Sequence, residues 1–117
     1  MLRTALLAAM AICIFCKDVA AETCIASQYG IGDRYHGGKV ACPGYGRFNT
    51  HATQPYTVAH KTRACGSSVT ITNLANGRSI SAVVTDRGPF VRGRCVDLGR
   101  AGANAIGMGG LAKVRVQ

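Results

Sequence analysis

Residues 67–73, SSVTITN, and 78–86, RSISAVVTD, each alternate polar and apolar side chains, and Asn76-Gly77 lies between them. Alternation with period two marks a half-buried strand, because successive side chains leave opposite faces of a sheet. Asn-Gly is the favoured centre of a type I′ turn, whose twist suits two antiparallel strands. The stretch therefore predicts a β-hairpin, with Val69 and Ile71 on one apolar face and Ile80, Ala82 and Val84 on another.

The remaining segments extend this pattern. CIASQYG (24–30) reads as a first strand, YTVAHKT (56–62) as a short one, and LAKVRV (111–116) alternates with Ala112, Val114 and Val116 inward. DLGRAGANAIGM (97–108) puts Leu98, Ala101, Ala105 and Ile106 on one helical face, with Asp97 as its N-cap. Gly99 and Gly102 keep that helix short. Residues 31–56, rich in Gly, Asn and Pro, read as a long loop, which in a small domain points to function or to a disulfide anchor. Many short strands, one small helix and no βαβ alternation predict an all-β domain closed into a small barrel. Closure also removes the strand edges that would otherwise be exposed.

At 117 residues the chain has room for one small domain. Its first residues read as a signal peptide: Arg3 gives a positive start, TALLAAMAICIFC is apolar, and KDVAA ends in small residues, so cleavage is expected after Ala21. The apolar run is short for a bilayer span. No small residue precedes Cys13, Cys16 or Cys24, so lipidation and a stable membrane anchor are not expected. A domain over 22–117, periplasmic or secreted, follows. It keeps Cys24, Cys42, Cys65 and Cys95, and four thiols in a small exported domain predict two disulfides with three possible pairings. A zinc site is disfavoured by the wide spacing, and no metal or cofactor is expected.

Twelve of the fourteen Lys and Arg lie beyond Ala21, all but Arg3 and Lys17, against Glu22, Asp33, Asp86 and Asp97. Such a surface favours an anionic partner. Export, scattered rather than clustered cations and the lack of tryptophan argue against nucleic acid. A monomer is expected.

VVTDRGPFVRGR (83–94) ends an apolar run on one of those few acids. Asp86 reads either as a turn-capping carboxylate paired with Arg87 or Arg94, or as a catalytic acid. His60 reads as a strand histidine bonded to backbone, or as a partner of that acid. Arg87 holds the turn or contacts a glycan, and Tyr29 packs in the core or stacks on a sugar ring. Gly88-Pro89-Phe90 reads as a rigid turn with an apolar anchor.

IASQYG, YTVAHKTRACGSSVTITNLANGRSI, VVTDRGPFVRGRCVDLGRAGANAIGM and AKVRV, in that order, cover nearly the whole predicted domain. In them the chain resembles the rare lipoprotein A (RlpA) family of septal lytic transglycosylases. The resemblance implies a six-stranded double-psi β-barrel, the fold of barwin and expansin relatives, with His60 and Asp86 as catalytic positions. It implies that peptidoglycan glycan strands are the substrate. It also implies, through barwin-like proteins, a Cys42–Cys65 bridge and with it Cys24–Cys95. Cleaving a glycosidic bond requires a proton for the leaving oxygen. In a lytic transglycosylase the sugar's own C6 hydroxyl then attacks, leaving a 1,6-anhydro end, so one carboxyl group can serve as acid and then base. His60 and Asp86 are expected to face one cleft, within hydrogen-bond reach or bridged by a water. VACPGYGRFN (40–49) departs from the family's usual loop, which carries Asn-Gly-Glu. A non-catalytic wall-binding module of expansin type stays open beside the enzyme, as does a secreted effector or inhibitor built on the barrel.

Overall fold

The computed structural model describes residues 20–29, 37–47 and 56–117. The leader up to residue 19, and residues 30–36 and 48–55 of the long loop, lie outside the described residues.

The strands are β1 (Glu22–Tyr29), β2 (Tyr56–His60), β3 (Ser68–Asn73), β4 (Ser79–Asp86), β5 (Arg94–Gly99) and β6 (Leu111–Val116), with one helix, α1 (Arg100–Ala105). They close into a barrel in the order β1-β5-β2-β4-β3-β6. Two pairings are parallel, β1 with β5 and β2 with β4, and the other four are antiparallel. The period-two positions of the sequence fill the interior: Val69, Ile71, Ile80, Ala82, Val84, Val114 and Val116 are buried together with Val58, Val96 and Leu98. Ile106 and Ala103 close one side of this core just beyond β5.

Two local expectations are corrected. The β3–β4 connection is a hairpin but not a two-residue type I′ turn, because Gly77 has φ of 76° while Asn76 does not have a positive φ. Side chains decide the longer turn. Asn73 Oδ1 accepts from the Ala75 N–H, and Asn76 Oδ1 accepts from the Arg78 N–H. Both amide groups also donate to the Ile106 carbonyl, tying the turn to the end of α1. The second correction is Asp97. It belongs to β5, and α1 is preceded by Gly99, which makes no side-chain cap bond. Val96 and Leu98 are buried on either side of it, a strand alternation that the helical reading overran.

Two disulfides staple the barrel. Cys24–Cys95 joins β1 to β5 with a Cα–Cα distance of 5.8 Å, and Cys42–Cys65 joins the 37–47 segment to the β2–β3 connection at 5.6 Å. That segment is also fixed by a bond from the Cys42 N–H to the Thr85 carbonyl, and by burial of Val40 and Cys42. It therefore lies across the C-terminal end of β4.

Candidate active site

Register alone brings four strands' side chains into one row. Ser27 on β1 pairs with Asp97 on β5, Asp97 pairs with Ala59 on β2, and Ala59 pairs with Asp86 on β4. The last pairing depends on an irregularity: Val58 opposes Val84, yet Ala59 opposes Asp86, so β4 spends an extra residue there. Without that bulge Thr85 would face Ala59. A bulge beside a functional group commonly re-aims it, and here it brings the carboxylate into the row. All four residues line a cleft of about 380 Å³, with Tyr29, Arg87 and the 88–91 turn forming its walls.

The Asp86 carboxylate is held by backbone. Oδ1 accepts from the N–H of Ala41 and from that of Arg87, each at 2.9 Å. The first of these donors comes from the disulfide-pinned segment. Oδ2 takes no partner among the described residues, and Asp86 makes no ion pair there. An oxygen that already accepts two N–H bonds is not the one that carries a proton, so any transferable proton sits on Oδ2.

Arg87 turns away from its neighbour. Its Nη1 donates to the carbonyls of His60 at 3.0 Å and Arg63 at 2.6 Å, and its Nη2 lies 3.2 Å from Cys65 Sγ. The guanidinium thus clamps the end of β2 and the Cys42–Cys65 bridge, although the residue lines the cleft wall.

His60 does not join that cleft. Its neighbour Ala59 forms the cleft floor, and successive strand side chains leave opposite faces. The imidazole is buried, and its Nδ1 accepts from the N–H of Thr62 and Arg63 at 3.1 and 3.0 Å. The ring proton is therefore on Nε2, which donates to Glu22 Oε1 at 2.6 Å. Both ring nitrogens are occupied, and neither bonds to Asp86. Glu22 and His60 instead line a second cleft of about 400 Å³, beside Lys61 and the Cys24–Cys95 bridge. The expectation that imidazole and carboxylate share a cleft is corrected on this geometry. His60 meets the Asp86 side only through its carbonyl, which Arg87 holds.

Tyr29 lines the Asp86 cleft at the end of β1. Phe90 is no core anchor, being 80% exposed, and with Val91 it forms an apolar lip. Gly88 permits this shape. Its φ is 111°, and a Cβ there would stand 3.3 Å from the Phe90 ring. Ser27 and Asp97 were missed in the sequence, although the alternation of CVDLG around Asp97 was a signal for an outward-facing strand carboxylate.

The family described as lytic transglycolase matches residues 44–117. This chain belongs to that RlpA-like family. A probable endolytic peptidoglycan transglycosylase RlpA of Nostoc sp. is 43% identical over 95 residues, which cover 80% of this chain and 24% of that protein. The endolytic peptidoglycan transglycosylase RlpA of Pasteurella multocida is 50% identical over 64 residues, covering 53% of this chain and 22% of that protein. The chain thus spans about a quarter of the length of these RlpA relatives. Among solved structures, an expansin of Clavibacter michiganensis superposes with a TM-score of 0.59 at 20% identity, over 84% of this chain and 50% of that one. The likeness establishes the shared double-psi barrel.

Proposed function

We propose that this domain is an endolytic peptidoglycan lytic transglycosylase in which Asp86 acts as general acid and then as base. The observation that carries the reading is the placing of Asp86. It lines a cleft, with Oδ1 fixed by two backbone N–H groups and Oδ2 without a partner among the described residues. A proton on Oδ2 passes to the glycosidic oxygen as the bond to the anomeric carbon breaks. The C6 hydroxyl of the same sugar then closes on that carbon and returns its proton to Oδ2. No water nucleophile is needed, and a positioned acid of this kind contributes about 10²–10⁴-fold to rate.

His60 serves this site as a positioning residue. It organises the turn at Thr62 and Arg63, and the carbonyls of His60 and Arg63 hold the guanidinium of Arg87, whose own backbone N–H fixes Asp86 Oδ1. Tyr29 supplies an aromatic wall for a sugar ring. Cleavage of the leader after Ala21 would leave β1 whole, since the strand begins at Glu22. Delivery to the peptidoglycan compartment follows from that leader.

The test is incubation of the 22–117 protein with peptide-free glycan strands, followed by mass spectrometry. Products ending in 1,6-anhydro sugars are expected. Strands that are bound but left intact would instead favour a wall-binding module of expansin type, a reading supported by the shared fold alone.

A further inference from the structure

We infer that Arg94 is a specificity-determining residue of this cleft, pairing with the lactyl carboxylate that a muramoyl sugar carries when no peptide stem is attached. The inference rests on the transglycosylase reading and names the substrate group that the site selects. Two arginines, Arg87 and Arg94, flank Asp86 in the sequence, and neither guanidinium bonds to it. Arg87 is spent on the His60 and Arg63 carbonyls, whereas the Arg94 side chain bonds to nothing among the described residues. Its backbone, by contrast, is fixed. The Arg94 N–H donates to the Val91 carbonyl at 3.1 Å, the Ile25 N–H donates to the Gly93 carbonyl at 3.0 Å, and the adjacent Cys95 is bridged to Cys24. A rooted arginine with an unbonded head can take a ligand without breaking an internal bond, which keeps the cost of binding low.

The fold brings Arg94 to the site. Arg94 and Asp97 are three residues apart, and on a regular strand an odd step puts side chains on opposite faces. The β1–β5 register shifts between them, with Ile25 opposing Arg94 and Ala26 opposing Val96, so Cys95 is the extra residue. That bulge returns Arg94 to the cleft that Asp86 and Asp97 line. Arg94 also lines the second cleft, with Lys61, where the Glu22 carboxylate is bonded to His60. The substrate supplies the matching anion. A strand of N-acetylated sugars is neutral except at the lactyl ether on C3 of each muramoyl residue. With a stem attached, that carboxyl group is an amide, and without one it is a carboxylate. The sugar that becomes the 1,6-anhydro end carries it two ring bonds from the carbon under attack, so it stands near Asp86 whenever the bond is cut. A guanidinium meets a carboxylate through two parallel N–H···O bonds, which an amide with its single oxygen cannot return.

The experiment compares peptide-free glycan strands with the same strands after carbodiimide coupling to methylamine, which turns each lactyl carboxylate into a neutral amide. Wild type, Arg94→Gln and Arg94→Lys are assayed on both for kcat/KM of anhydro-end formation and for strand binding, with thermal unfolding alongside. Wild type should favour the free strands by about 10–100-fold, the worth of one charge-assisted contact. Arg94→Gln should bring that preference close to unity at unchanged Tm, since its side chain has no partner to lose, and Arg94→Lys should keep part of it. Equal use of both strands by wild type, or a preference that survives in Arg94→Gln, overturns the inference and leaves Asp86 as the acid. Stem-bearing strands cleaved as fast as peptide-free ones overturn it too. Should Arg94→Gln fail to fold, the wild-type comparison of the two strands still decides. If wild type releases no anhydro ends, the transglycosylase reading falls by itself, and binding decides for Arg94. Binding of free strands that Arg94→Gln loses supports the carboxylate contact, and equal binding by both proteins overturns it.

Discussion

Arg87 lines the cleft while its guanidinium is bonded to the chain behind it. Its guanidinium donates to two backbone carbonyls and reaches Cys65 Sγ, so its removal strands acceptors at the end of β2. Hydrogen bonds to charged groups contribute about 1.5–3 kcal/mol each, and Lys cannot reproduce the planar fork. Arg87→Lys is therefore expected to lower unfolding stability by about 1–3 kcal/mol, read from urea denaturation. Unchanged stability with weakened glycan binding would return Arg87 to the role of a substrate contact. At this scale the sequence was legible for residue type and blind to direction. Asp86 stood out because it ended an apolar strand in an acid-poor chain. That His60 faces the other way follows from strand parity, and parity could be counted only after the partner of Ala59 was known. Asp97 was hidden by its neighbours, since Leu98, Ala101 and Ala105 also satisfy a helical period.

Among the elements, the 37–47 segment matters most to the site while having little regular structure. It contributes one isolated bridge, Lys39 with Arg47, and the N–H of Ala41 that fixes Asp86. The Cys42–Cys65 bridge and the Cys42–Thr85 backbone bond hold it in place. Losing a native disulfide in a small exported domain typically costs about 2–5 kcal/mol. Replacing Cys42 and Cys65 together by Ser should lower Tm and also reduce kcat in the fraction that remains folded. Measurements of Tm and of kcat corrected for folded fraction check both effects. Loss of Tm with full kcat would mean that Ala41 is not needed to orient Asp86. Such a segment is hard to read from sequence, because its order comes from a long-range bridge rather than from an apolar period. β3, β4 and β6 were legible for the converse reason: each buries alternate residues in one continuous core. The turn between β3 and β4 escaped because Asn73 and Asn76 reach across to Ile106, 33 and 30 residues away in sequence.

For the whole molecule, closure of the barrel converts distant segments into one surface, so residues 27, 59, 86 and 97 become neighbours across four strands. Beyond Ala21, twelve Lys and Arg against four acids leave a formal charge of +8, which acts over a longer range. It should draw the domain to an anionic wall and contribute less as salt rises past about 0.1 M, where the Debye length falls below about 10 Å. Cosedimentation with isolated sacculi across a salt series should show that weakening, and salt-independent binding would exclude the basic surface from the encounter. On the proposed reading, charge should bring the domain to its polymer, while cleavage should depend on Asp86 Oδ2. The most direct measurement is the rate of 1,6-anhydro end formation by wild type and Asp86→Asn on peptide-free glycan strands, with circular dichroism on both. An amide oxygen can still accept from Ala41 and Arg87, so the variant should fold as wild type does while its rate falls by about 10²–10⁴-fold. A folded Asp86→Asn protein cleaving at the wild-type rate would contradict the account and leave Asp86 as a turn-capping carboxylate.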